Sequence, residues 1–147
     1  MFSNFDISAS GLTAQRTRMD VISDNLANVN TTRTPDGGPY RRKVPVFRSR
    51  TQKGSFSRVL QQKMNDDGDN SGRGVEIAGI REDDSSLKQV YRPEHPDADE
   101  NGYVEMPNVD ITSEMVDMIN ASRSYEANIT ALNTNKDMAM KALNISN

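Results

Sequence analysis

From Asn4 to about Val29, apolar residues return every seven positions, at Phe5, Leu12, Met19 and Leu26. Ile22 and Val29 supply the companion positions three further on. This spacing predicts a helix with one narrow apolar seam, with Arg16, Arg18, Asp20 and Asp24 mostly off it. Thr31-Thr32 and then Pro35-Asp36-Gly37-Gly38-Pro39 stop the helix.

The helical pattern returns from Asp110 to about Leu143. Asp110 suits the N-cap, and Glu114 in the first turn complements the helix dipole. One row runs Met115, Ser122, Ile129, Lys136 and Leu143, and a second runs Met118, Tyr125, Leu132 and Ala139. Val116, Ile119 and Met140 widen the stripe. Without Gly or Pro to interrupt it, this helix extends about 50 Å. Such a length needs another helix against it, and the N-terminal helix is the one candidate within the chain.

The seams are imperfect, because Ser8, Gln15, Ser122 and Lys136 fall where a tight two-stranded coil would carry Leu or Ile. The simplest packing is an intramolecular helical hairpin. The imperfect rows and the free use of Met, an adaptable packing residue, favour a coiled-coil-like bundle in which each helix meets several partners.

Between the helices, residues 33–107 read as turns and short strands. Lys43-Val44-Pro45-Val46-Phe47 is extended, and Pro45 makes it an edge or unpaired segment. Val75-Glu76-Ile77, Leu87 to Tyr91, and Tyr103-Val104-Glu105-Met106 alternate weakly, as half-buried strands do. Residues 61–74 are polar and rich in Gly and Asp, and are expected to form a mobile loop. The predicted fold is therefore mainly α. It comprises an N-terminal helical segment (1–32), a small β-rich and irregular insert (33–107), and a C-terminal helical segment (108–147).

Composition narrows the function. Only 34% of the 147 residues are hydrophobic and 5% aromatic, too few for a large compact core, so apolar surface is left for partners. With no cysteine and one histidine, His95, disulfides, thiolate nucleophiles and clustered zinc ligands are excluded. No apolar run is long enough to insert in a membrane. The start, Met1 to Asp6, lacks the basic and apolar regions of a cleavable secretory signal, so export would use an uncleaved route. Charge is uneven: residues 1–60 carry +6 and residues 61–147 carry −9, an asymmetry suited to head-to-tail contact between copies or relatives.

Candidate chemistry is thin. Asp97-Ala98-Asp99-Glu100-Asn101-Gly102 matches the first half of a calcium loop, but Asn108 stands where the bidentate Glu belongs. Pro93 and Pro96 also forbid the entering helix. Asn101-Gly102 reads better as a turn before the strand at Tyr103. The Asp67–Gly72 stretch is a weaker match still, with Ala78 at its twelfth position. Arg33, Arg41-Arg42-Lys43, Arg48, Arg50, Lys53 and Arg58, interleaved with Tyr40, Phe47 and Phe56, could bind nucleic-acid phosphates. No recognition helix accompanies them, and a solvated or partner-facing basic surface is the favoured reading. Glu82-Asp83-Asp84 has no apolar wall to raise a pKa, and Gly72-Arg73-Gly74 lacks the Lys-Ser/Thr of a phosphate loop. Neither catalytic residues, cofactor nor metal is expected.

Specific words close the first helix and open the last. Ser23-Asp24-Asn25-Leu26-Ala27-Asn28-Val29-Asn30-Thr31 stands at one end. Glu114-Met115-Val116-Asp117-Met118-Ile119 and Arg123-Ser124-Tyr125-Glu126-Ala127-Asn128 stand at the other. Together they resemble the terminal signatures of bacterial flagellar axial proteins, the rod, hook and their relatives. Tyr91-Arg92-Pro93-Glu94-His95-Pro96, Gly102 to Asp110 and the Gly37-Gly38-Pro39-Tyr40-Arg41 turn look like the proximal-rod type of flagellar basal-body rod protein. The resemblance covers roughly residues 5–50 and 87–145. Ser124 replaces a frequent Ala, one small residue for another.

The resemblance implies a non-enzymatic structural subunit of the basal-body rod, periplasmic, forming a helical tube that transmits torque. It implies export by the flagellar type III system without signal cleavage. Implied partners are copies of itself, other rod proteins, the adaptor joining rod to membrane ring, and the export gate, with no nucleic acid. A different rod or rod-adjacent subunit is the near alternative, and a nucleic-acid binder using residues 33–58 the distant one. The expected subunit-interface residues are Leu12, Met19, Ile22, Leu26 and Val29 with Met115, Met118, Tyr125, Ile129, Leu132 and Leu143. The family-motif residues are Asn25, Ala27, Asn28, Thr31, Arg123, Tyr125, Glu126 and Asn128.

Overall fold

The computed structural model describes residues 2–50 and 74–145. Of the stretch expected to be a mobile loop only Gly74 lies among them, and Lys53, Phe56 and Arg58 of the basic region lie outside, as do residues 67–72 of the weaker calcium-loop match. The elements in order are α1 (Phe2–Ala27), β1 (Lys43–Ser49), β2 (Val75–Glu82), β3 (Lys88–Tyr91), β4 (Tyr103–Met106) and α2 (Ile111–Ile145).

Two long helices and two small sheets thus make up the described chain. Helix α1 ends two residues earlier than the pattern predicts: its last turn tightens, with the Val29 amide donating to the Leu26 carbonyl at 3.4 Å. Helix α2 begins as expected. The Asp110 carboxylate accepts the Ser113 amide at 2.9 Å, satisfying one of the donors a helix start leaves unpaired. That hydrogen bond is the first reason the Asp110 carboxyl is held below its ordinary value, with Lys88 helping.

The helices pair antiparallel. Gly11 of α1 lies against Asn128 of α2, Arg18 donates to Asp117 at 2.9 Å, and Asn25 donates to Glu114 at 3.1 Å. Most of the less exposed positions of α2 follow a four-three spacing, Glu114, Met118, Ala121, Tyr125, Asn128, Leu132, Asn135 and Ala139, with Asp117, Ser122 and Ser124 beside it. On α1 the matching row is Ser8, Gly11, Gln15, Arg18, Ile22 and Asn25. These two rows are the contact, and they are largely small or polar.

Strand β1 pairs antiparallel with β2 from Lys43 opposite Glu82 to Ser49 opposite Val75, with an irregularity between Val46 and Phe47. In a two-stranded sheet each strand has a free edge, which accommodates Pro45 opposite Ile80. Strand β3 pairs with β4 from Lys88 opposite Met106 to Tyr91 opposite Tyr103. Val104 and Met106 are buried and Tyr103 and Glu105 exposed, the period-two alternation of a half-buried strand.

The turn before β4 needs Gly102. Its φ is +80°, and a Cβ there would stand 2.9 Å from the Tyr91 ring. The Asp99 carboxylate of this turn accepts the amides of Asn101 and Tyr103, and Asp97 accepts the Thr32 hydroxyl at 2.8 Å. The acidic groups of the calcium-like segment are therefore turn and tether residues. His95 accepts the Asp97 amide at 3.2 Å in the same turn.

Candidate functional site

Two features stand out, a buried polar joint and an uncovered apolar face. The joint forms where the end of α1, the start of β1 and the start of α2 converge. Asn25 is 1% exposed and Glu114 is 0% exposed. The Asn25 amide is satisfied on both sides. Its oxygen accepts the Tyr40 hydroxyl at 3.0 Å and the Lys43 amide at 2.9 Å. Its nitrogen donates to the Lys43 carbonyl at 2.9 Å and to Glu114 at 3.1 Å. Glu114 receives the Arg42 guanidinium at 2.6 Å, a charge-assisted bond that a buried carboxylate requires.

Arg42 also reaches Asp117 at 3.5 Å and Asp83 at 3.7 Å, and Asp117 shares its charge with Arg18. Burial by itself would lower the Arg42 pKa, but Glu114 first, then Asp117 and Asp83, raise it above the usual value. Tyr40 is pushed up by burial, then by Asp24, Glu114 and Glu82. Asp83 is held down chiefly by hydrogen bonds from Ser85, with Arg42 adding to the effect. Asn108 extends the joint: its oxygen accepts the Arg42 amide at 2.8 Å, and its nitrogen donates to the Asp83 carbonyl at 3.0 Å and the Ser85 hydroxyl at 2.8 Å.

Three expectations are corrected here. Arg42 is part of an internal ion-pair network rather than a solvated or partner-facing basic surface. Arg48 likewise pairs with Glu76 at 2.6 Å, leaving less of the basic stretch for phosphates. Arg18, expected mostly off the seam, lies in the contact between helices. Glu114 does more than complement a dipole: it is enclosed and ion-paired. Nothing in the sequence signals this, because Glu114 stands outside both apolar rows and Arg42 lies 72 residues away.

The apolar face lies on the other side of the helix pair. Ser10 and Ala14 line the cleft against Val75 and Ile77 of β2, and the Val75 amide donates to Ser10 at 3.1 Å. Residues two apart on a helix point about 160° apart, so Leu12 is turned away from that cleft. Met19 and Leu26 follow Leu12 at seven-residue spacing, and all three are half-buried. On α2 the same geometry turns Met115 and Ile119 away from Asp117, which faces Arg18 and Arg42. Met115 is 54% exposed, Ile119 53% and Leu143 71%, with Val116, Ile129 and Met140 also exposed.

The expected interface residues therefore divide. Ile22, Met118, Tyr125 and Leu132 lie in the contact between α1 and α2. Leu12, Met19, Leu26, Met115, Ile129 and Leu143 flank it, and Val29 is half-buried beyond the end of α1. Among the motif residues, Asn25 joins the buried network. Asn28 donates to the Asp24 carbonyl at 2.9 Å and accepts the Thr31 hydroxyl at 3.2 Å, closing the end of α1. Asn128 donates to the Ser124 carbonyl at 2.8 Å beside Gly11, and Tyr125 is half-buried. Ala27, Arg123 and Glu126 are exposed. No group of three or more metal-ligating side chains converges among the described residues.

Comparison with known proteins places both ends in one class. The flagella basal body rod protein family matches residues 5–33, and the C-terminal family of the flagellar basal body rod FlgEFG proteins matches residues 100–145. The class is that of non-enzymatic structural subunits of the flagellar basal-body rod. Full-length relatives narrow it. The flagellar basal-body rod protein FlgC of Bacillus subtilis is 51% identical over 98% of this chain and 97% of its own. That of Borreliella burgdorferi is 50% identical over 99% and 97%, and that of Salmonella typhimurium 43% identical over 96% and 94%. The chain belongs to the FlgC family of flagellar basal-body rod proteins, structural subunits of the proximal rod.

Proposed function

We propose that the chain builds the rod through the apolar face that α1 and α2 present away from their β1–β2 hairpin. The observation carrying this reading is the exposed stripe Met115, Ile119, Ile129, Met140 and Leu143, interrupted by Ser122 and Lys136 and flanked by Leu12, Met19 and Leu26, with nothing over it among the described residues. A stripe that long and narrow fits another helix of similar length, so neighbouring helix pairs close over it and a coiled-coil-like bundle forms between subunits. Helices packed around a common axis would make the inner wall of a tube that transmits torque across the periplasm. The sheets then lie outward. Copies of the chain and other rod proteins supply the neighbouring helices, with the ring adaptor and export gate at the ends of the stack. Delivery by the flagellar type III system without cleavage completes the reading.

The test is a chain carrying Ile119→Asp and Leu143→Asp, both at exposed positions. The expected outcome is a chain with unchanged helix content that is absent from isolated basal bodies, in non-motile cells. Normal basal bodies containing the variant would overturn the reading.

A further inference from the structure

Heptad-repeating helices have a register problem. If α1 slid by seven residues along α2, Arg18 would meet Glu114 and Gly11 would meet Ala121. Those pairs are chemically acceptable, and the rows that do repeat every seven, Leu12, Met19 and Leu26 on α1 and Met118, Tyr125 and Leu132 on α2, would still coincide. The seam itself discriminates weakly, because Ser8, Gly11, Gln15, Asn128 and Asn135 dilute its few large apolar members, Ile22, Met118, Tyr125 and Leu132. Something outside the repeat has to choose between the alternatives.

We propose that the Asn25–Arg42–Glu114 cluster is a register lock, which specifies how α1 and α2 are aligned rather than supplying the bulk of their stability. Three observations carry this. The cluster occurs once along the contact and encloses Asn25 and Glu114 almost completely, as single buried polar groups are enclosed where they set register. Its members come from three different segments: Asn25 from α1, Arg42 from the approach to β1, and Glu114 from α2. Arg42 is anchored independently of the helices, through its amide to Asn108 and its guanidinium to Asp83. A slipped α2 would thus leave Arg42 facing the wrong turn and set Asn25 opposite Pro107, before α2 begins. The lock also aligns the two halves of the open face, so a slipped pair would offer neighbours a mismatched surface.

The chain has no cysteine, so an introduced pair reports register cleanly. One pair, Gly11→Cys with Asn128→Cys, reads the observed alignment. The other, Gly11→Cys with Ala121→Cys, reads the slipped one. Each is placed in the otherwise natural chain and in one carrying Arg42→Met with Glu114→Met. That double change removes the enclosed Glu114 charge and its half-buried Arg42 partner while Asn25 keeps its bonds to Tyr40 and Lys43. In the natural background only the first pair is expected to crosslink. In the double variant the second pair should rise to within about tenfold of the first, with melting temperature and helix content unchanged or raised. Crosslinking confined to the first pair in both backgrounds would overturn the proposal. So would loss of helix in the double variant, since the cluster would then be a source of stability and not of alignment. Neither outcome depends on whether the open face binds other subunits.

Discussion

Asn25 and Glu114 stand 89 positions apart in sequence and 3.1 Å apart in space, amide nitrogen to carboxylate oxygen, with both side chains enclosed. Each lies in one of the two signature segments by which the chain resembles its family, so those signatures meet at a single point. Asn25 suits this place because a side-chain amide can donate and accept at once. Asn25→Ala would leave the Tyr40 hydroxyl and both backbone groups of Lys43 without their partner. Unsatisfied buried groups cost about 1–3 kcal/mol each, so a total loss on the order of 3 kcal/mol is expected in urea unfolding. A loss below about 1 kcal/mol would mean that water replaces the amide.

The two faces of α2 separate two kinds of defect. Leu132 is half-buried against α1, and Leu132→Asp should weaken the isolated chain by about 2 kcal/mol, part of what a fully enclosed Leu contributes. Ile119→Asp, on the open face, should leave that stability within about 0.5 kcal/mol and affect assembly alone. Thermal melts of both purified variants, set beside their recovery in basal bodies, check this. Equal destabilisation would contradict the placement of the two residues.

Methionine chemistry reads the same division without mutation. In the free chain, peroxide should oxidise Met115 and Met140 faster than the half-buried Met118. In isolated rods all three should be slow, because neighbouring helices would cover the outer pair. Mass spectrometry of the two samples gives the comparison, and rapid oxidation of Met115 in rods would place that face in solvent.

Gly11 lies where α1 comes close to α2 at Asn128. An added Cβ would meet Asn128 Oδ1 at 2.9 Å, the end of a side chain that can turn aside. Replacing a helical Gly by Ala gains about 1 kcal/mol of propensity, so Gly11→Ala should come out near neutral. Gly11→Leu cannot be absorbed by rotating one amide. It should push the helices apart at a cost of about 1–3 kcal/mol, visible as a lower melting temperature.

The recurrence of apolar residues made both long helices legible to within two residues of their ends, and the alternation in Tyr103–Met106 made β4 so. Of the two rows read on α2, Met118, Tyr125, Leu132 and Ala139 do face α1, but the Met115 row does not. Periodicity draws attention to the large residues, and Met115, Ile129 and Leu143 recur on one row, fourteen positions apart. The other half of the contact runs one position before the Met115 row, through Glu114, Ala121, Asn128 and Asn135. Small and polar residues let two backbones come close, yet carry no hydrophobic signal. Arg42 was hidden for a different reason. Its neighbours Arg41 and Lys43 suggest a surface patch, and the carboxylate that claims it lies 72 residues further along the chain.

Acid should loosen the start of α2 before it loosens the rest. The hydrogen bonds from Ser113, with the charge of Lys88, hold the Asp110 carboxyl below its ordinary value of about 3.9. A group whose native pKa is depressed favours the folded form fully above its unfolded pKa, and that contribution fades as pH falls toward the lower native value. Between neutral pH and about 5 the cap should therefore hold, and below about 4 the amides of Ser113 and Glu114 should exchange progressively faster with solvent. Asp110→Asn keeps the side-chain acceptor and removes the titration. Exchange at Ser113 in that variant should be slightly faster than natural at neutral pH, because the charge is gone, and should lack the extra acid-dependent rise. If the natural chain and Asp110→Asn show the same pH profile at these two amides, the acid response belongs to another group, with the Asp83 carboxylate at Arg42 the next to examine.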